Sequence, residues 1–191
     1  VPDQSRRNPQ VHQAILDATW QLLVDGGWPA VSVDAIAAQA GVGKRTIYRW
    51  WPNKNAVALE AFLARARSTP PLGNPVGLAE ALRAHARHFV DLYVGTRLGT
   101  LLRELIGAAQ QDPELGAALR EHWFEPRREP LRALITDGDA DLVLDLVFAP
   151  LHYRLLTGHA PIDHSFADRV VDAALLARSN PRESRSQADR M

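Results

Sequence analysis

Residues 42–54, VGKRTIYRWWPNK, hold Lys44, Arg45, Arg49 and Lys54 beside Tyr48, Trp50 and Trp51, with no acid among them. Cations at this density, interleaved with aromatic rings, suit the gripping of a polyanion. Lysine offers a compact point charge, and arginine offers a planar fork of donors that matches phosphate or a base edge. The 191-residue chain is neutral overall, with 22 Lys and Arg against 22 Asp and Glu. Residues 1–67 nevertheless hold 8 cations against 5 acids, and residues 68–191 hold 14 against 17. A basic patch confined to one end of a neutral chain fits a local polyanion contact better than general adhesion. A solvated charged face is the rival reading of the same run.

The elements that must carry these residues are helical. Alanine and leucine dominate and β-branched alternation is scarce, so an all-α fold is expected. Val11, Ile15, Ala18 and Leu22 repeat at three-to-four spacing and predict a helix over 9–25, opened by Pro9 and ended by Gly26 and Gly27. Ser32 is placed to cap a short helix, VDAIAAQA, which Gly41 stops. A second short helix runs to Trp51, where Pro52 closes it, and Asn53 can cap the next, which continues to about residue 67. Two short helices joined by AGVG match a helix-turn-helix. Counting by fours on the second puts Ile47 and Trp51 on one face and Arg45 and Arg49 on another. That predicts an apolar side docked on its own head group and a cationic side facing a DNA major groove.

STPPLGNPVG, residues 68–77, has three prolines and two glycines in ten positions and is the expected domain boundary. The organisation read from the chain is a head over 1–67, a helical body over 68–178 and a disordered tail over 179–191. Helical stretches are expected near 76–94, 96–110, 113–135, 139–158 and 165–178, with Pro126, Pro130 and Pro150 beginning, kinking or splitting helices.

The stretch from residue 14 to 63 resembles the DNA-binding head of TetR-type one-component transcriptional regulators. The resemblance rests on Ile15–Leu16, Ala18, Leu22–Leu23, the Gly26–Gly27 turn, Val33, Ile36–Ala37, Gly41–Val42, Lys44, Thr46–Ile47–Tyr48 and Lys54. It covers about a quarter of the chain and needs no gap. It implies that Lys44, Thr46, Tyr48 and Lys54 touch or flank the phosphate backbone. Arg45 and Arg49 then occupy recognition positions, where an arginine can bond guanine N7 and O6; a phosphate contact is the alternative for each. Ser32 and Val33 fall where helix-start contacts occur, and Asp34 beside them reads as structural. The chain departs from the pattern at Gly43, which leaves a helix without a side-chain cap, and at Trp50. The latter is expected partly exposed at the groove edge, with packing against Trp20 or Trp28 as the other option.

The same resemblance implies a C-terminal body that binds a small molecule and dimerises through helices near 139–158 and 165–178. Pairing suits the DNA physics, since one small head offers few contacts and half-sites recur about every 34 Å. The expected function is a dimeric repressor of a palindromic operator, released by a small-molecule effector. An activator or corepressor-dependent regulator is an alternative, as is a helical carrier that lacks operator specificity. Candidate pocket residues are Phe62, His88, Phe89, Tyr93, Trp123, Phe124, Phe148, His152 and Tyr153, a lining that favours a hydrophobic or aromatic effector.

Other chemistries find no residues to stand on. There is no cysteine for disulfides or thiolate zinc. His85 and His88 stand at i, i+3, but no carboxylate at helical spacing joins them, so no metal site is expected. No Gly-x-Ser-x-Gly or glycine-rich phosphate loop occurs, and neither an enzyme nor a cofactor is expected. No apolar run approaches a membrane span, and the first residues carry no signal-peptide pattern, so the cytoplasm is the expected compartment.

Overall fold

The computed structural model describes residues 8–67 and 77–179. Among the described residues it contains ten α-helices, one π-helical turn and no strand. Most of the expected boundary segment, and the tail beyond Ser179, lie outside the described residues.

The head is built from α1 (Pro9–Ala30), α2 (Val33–Ala40), α3 (Lys44–Trp50) and α4 (Lys54–Arg67). Asn8 caps α1 by accepting from the Gln10 N–H at 3.0 Å. The helix breaks at Gly27, whose φ of 68° is a left-handed conformation that glycine adopts without penalty. Space gives a second reason for glycine there, because an added Cβ would meet Glu104 Oε2 at 2.8 Å. The Ser32 hydroxyl accepts from the Ala35 N–H at 3.1 Å to start α2, and Gly41, at φ 65°, ends it. Gly43 starts α3 without a side-chain cap, and Asn53 accepts from the Ala56 N–H at 3.0 Å to start α4. Ile15, Leu23, Val31, Ile36, Ile47, Val57 and Phe62 fill the core of this head. At about 1.5–3 kcal/mol for each large side chain removed from water, that core outweighs the intrinsic weakness of helices as short as α2 and α3.

The remaining helices are α5 (Leu78–Tyr93), α6 (Arg97–Ala109), α7 (Pro113–Leu119), α8 (Glu125–Arg132), α9 (Ala140–Thr157) and α10 (His164–Ser179). The single helix expected over 113–135 is instead α7, a π-helical turn over Arg120–Phe124, and α8. Pro126 has no N–H to return to the preceding turn, so the backbone widens before it. Pro130 and Pro150 are accommodated inside α8 and α9.

The chain forms two compact units. The first holds α1–α4 together with Thr100–Trp123; the second runs through α5 to Gly99 and resumes at Phe124. Thr100–Trp123 joins the head helices through two polar ties. Glu104 Oε2 accepts the Trp28 N–H at 2.7 Å. Asp112, which caps α7 through the N–H groups of Glu114 and Leu115, also accepts from Asn55 Nδ2 at 2.6 Å. In the second unit α10 packs along α5 and α9. Arg83 pairs with Asp172, and Arg87 holds Asp168 through two nitrogens at 2.9 and 2.6 Å. Among the described residues no helix is long and apolar enough to cross a membrane.

Candidate nucleic-acid interface

Two aromatic rings and one carboxylate anchor α3. Ile47 is fully buried, and Trp51 is only 4% exposed. The Trp51 indole donates its N–H to Glu60 Oε2 on α4 at 2.6 Å. Its ring stacks on that of His12 from α1, with centroids 5.2 Å apart and planes 19° from parallel. His12 Nε2 stands 2.8 Å from Glu60 Oε1 but off hydrogen-bonding geometry, so the contact acts as an ion pair when the imidazole is protonated. Three helices therefore meet at Glu60.

Trp50 corrects an expectation. It does not stand half-exposed at a groove edge but is 8% exposed, edge-on to Trp51 at 5.7 Å and tilted against His12 at 6.1 Å. Residues three apart share a helix face as well as those four apart, so Trp50 follows Ile47 into the head. Beyond it the backbone becomes extended at Trp51, at φ −132° and ψ 134°, and both indoles enter.

The opposite side of α3 is polar and open. Lys44, Arg45, Tyr48 and Arg49 are exposed, Tyr48 by 57%, and Thr46 is half-buried. The three cations differ in state. Lys44 pairs with Asp34 of α2, and that hydrogen bond and charge push the ammonium pKa up. Arg49 lies over the Trp50 ring, its guanidinium carbon 5.1 Å from the centroid. Arg45 makes no hydrogen bond or ion pair among the described residues. Lys54 is half-buried and gives one N–H to the Val31 carbonyl at 3.0 Å, tying the start of α4 to the α1–α2 link. Ser32 is exposed with its hydroxyl engaged in the cap, and Val33 is half-buried.

The expected pocket residues divide between the units. Phe62 and Trp123, both buried, belong to the first. In the second, Phe89 meets Tyr93 at 5.1 Å and His152 at 4.8 Å, and Phe124 meets His152 at 5.7 Å. His152 Nδ1 lies 2.8 Å from the Phe148 carbonyl, so that nitrogen carries the proton and faces its own helix. Burial lowers the pKa of His152, His85 and His88, and the nearby Arg128 or Arg127 lowers each further. Tyr153 stands apart from this cluster. It is 61% exposed, and its ring meets that of His159 at 5.0 Å. One residue along a helix is a 100° turn, and here it carries Tyr153 outward while His152 turns toward Phe89 and Phe124.

Several contributors were not singled out from the chain alone: His12, Glu60, Asn55 and Glu104, and the Asn55 tie made by Asp112. Only Glu60 carried a signal, as the sole acid between residues 35 and 67.

Comparison with known proteins gives a consistent result. Residues 15–61 match the family model "Bacterial regulatory proteins, tetR family", and residues 77–174 match "Tetracyclin repressor-like, C-terminal domain". The chain is 36% identical over 178 residues to the HTH-type transcriptional regulator YdeS of Bacillus subtilis, covering 87% of this chain and 89% of YdeS. It is 31% identical over 179 residues to the DNA-binding transcriptional repressor TetR of Mycobacteroides abscessus, covering 88% and 93%. Among solved structures, the TetR family transcription regulator SCO0332 superposes with a TM-score of 0.73 at 31% identity, over 90% of this chain and 100% of that one. The flavonoid-responsive regulator FrrA superposes with a TM-score of 0.66 at 25% identity, over 91% and 99%.

Proposed function

Because the chain belongs to the TetR family of DNA-binding transcriptional regulators, we propose that it is a dimeric repressor that occludes a palindromic operator until a small molecule releases it. The observation that carries this reading is the two-sided α3: buried indoles hold it to the head while Lys44, Arg45, Tyr48 and Arg49 face outward. Such a helix presents donors to a groove without melting its own support. Thr46, and the free donors of Lys54, complete the phosphate side, with the helix-start residues Ser32 and Val33 beside them. Trp50 stays in the head as support.

Dimerisation through α9 and α10 is supported by an exposed apolar stripe. Leu142, Leu146, Ala149, Tyr153 and Leu156 recur at alternating spacings of four and three on α9, and Leu176 is 72% exposed on α10. A stripe of that period is the seam of a helix packed against another helix. An aromatic or hydrophobic effector is supported by the Phe89, Tyr93, Phe124 and His152 cluster, and FrrA, a structural relative, is flavonoid-responsive. Effector and operator oppose each other through one coupling free energy, so each weakens the other by the same factor. The Glu104 and Asp112 ties hold Thr100–Trp123 to the head helices. Such a regulator acts in the cytoplasm, where its operator lies.

The test is a gel shift on the promoter region of the protein's own gene over a range of salt. A shift that weakens steeply as salt rises is expected. Absence of any salt-sensitive shift at micromolar protein would sink the reading.

A further inference from the structure

We infer that Arg45 is the base-reading cation of the recognition helix, and that Arg49, held on Trp50, is a sequence-blind clamp on the phosphate backbone. The inference rests on the operator-binding reading above and divides labour within it.

Position along the helix is the first argument. Arg45 is the second residue of α3, which spans Lys44–Trp50, whereas Arg49 is the sixth. A recognition helix offers its N-terminal residues to base edges, while its far end lies toward the groove rim. The second argument is side-chain freedom. To read guanine, a guanidinium must lie in the plane of the base and give two parallel N–H bonds to N7 and O6. Arg45 is exposed and engaged by nothing among the described residues, so it is free to take that pose. Arg49 is not. Its guanidinium carbon sits 5.1 Å from the Trp50 centroid, and Trp50 is buried against His12 and Trp51. A guanidinium drawn over a fixed ring keeps its edge donors, which suit a phosphate oxygen, while the attraction to the ring opposes reach into the groove.

Lys44 completes the division. Its ammonium is paired with Asp34, a carboxylate that phosphate would repel, so it enters a DNA complex partly neutralised. Of the three cations on α3, only Arg45 is unengaged within the head.

The experiment selects preferred duplexes from a random pool with the full-length protein. It then measures affinity for the selected site and all its single-base variants, in several salt concentrations. Wild type, Arg45→Ala, Arg45→Gln and Arg49→Ala are compared, each checked for folding by circular dichroism. Arg45→Ala should flatten discrimination at one G·C pair per half-site, by about 5- to 150-fold. Arg45→Gln should move the preference there toward A·T, since glutamine pairs with adenine. Arg49→Ala should weaken every sequence by the same factor, keep the preference profile, and reduce the salt slope by about one per protomer. A flattened base position in Arg49→Ala, or an unchanged profile in Arg45→Ala, overturns the assignment. A wild-type protein that selects no sequence overturns the operator reading itself, and the two failures are thus told apart.

Discussion

Glu60 joins three helices with one carboxylate: it receives the Trp51 indole N–H and faces His12 across from α1. Glu60→Ala removes the acceptor of an N–H on a ring that is 4% exposed, and an unsatisfied buried donor costs about 1–3 kcal/mol. Denaturant unfolding should show a loss of that size, and Glu60→Gln, which keeps an acceptor oxygen, should recover most of it. Equal losses in both variants would mean that the charge toward His12 matters more than the indole bond. The carboxylate could be noticed in the sequence, since no other acid lies between residues 35 and 67. Its partners could not, because nothing in residues 1–20 signals that His12 will stack on Trp51.

At the level of elements, α7 is joined to α4 by the residue that caps it. Asp112 accepts two N–H groups of α7 and the Asn55 amide. Its pKa is lowered, first by the Leu115 N–H and then by Asn55. A carboxyl lowered in the folded state binds protons less readily there than in the unfolded chain. Its stabilisation is present above the ordinary value of 3.8 and is lost as pH falls through the folded value. Asp112→Ala should lower Tm at neutral pH, whereas Asp112→Asn, still a good cap, should lower it less. If the two variants melt alike, the Asn55 tie outweighs the cap. Histidines in the second unit act over a different pH range. His85, His88 and His152 have lowered pKa values, chiefly through burial, with Arg127 near the first two and Arg128 near the third; Asp91 partly opposes the shift at His88. The unfolded chain takes up protons first, so stability should fall as pH drops through 6.5. Melting curves between pH 7.5 and 5.5 should show this, and His152→Gln should flatten the trend. A Tm independent of pH over that range would contradict the buried, neutral assignment.

For the whole molecule, the exposed stripe on α9 sets the assembly prediction. Leu146→Glu with Leu156→Glu places two charges on the seam, where pairing would desolvate them without partners. Sedimentation should report a dimer for wild type and a monomer for the double variant, with operator affinity falling alongside. A variant that remains dimeric would move the interface away from α9. The stripe also explains why α9 reads as apolar on nearly every side: Val143, Leu144, Val147, Leu151 and Leu155 are buried within the second unit, while Leu142, Leu146, Tyr153 and Leu156 face outward. From the sequence Tyr153 reads as a pocket candidate; its place on the outer face came from the fold.

The chain by itself determined whatever depends on neighbours a few positions away. Caps at Ser32 and Asn53, the break at Gly27, the stop at Gly41 and the cationic side of α3 all follow from spacings of two to four residues. Only the tertiary structure decided which distant group meets which. The Glu104 bond to Trp28 spans 76 residues, and the Asp112 bond to Asn55 spans 57. Those contacts hold Thr100–Trp123 with the head, and His12 and Glu60 complete the enclosure of the indoles. The physical reason is that local spacing selects the face a side chain occupies, whereas burial and partnership depend on what packs against that face. The cations of α3 were legible as a surface; their division into paired, ring-held and free came from the fold.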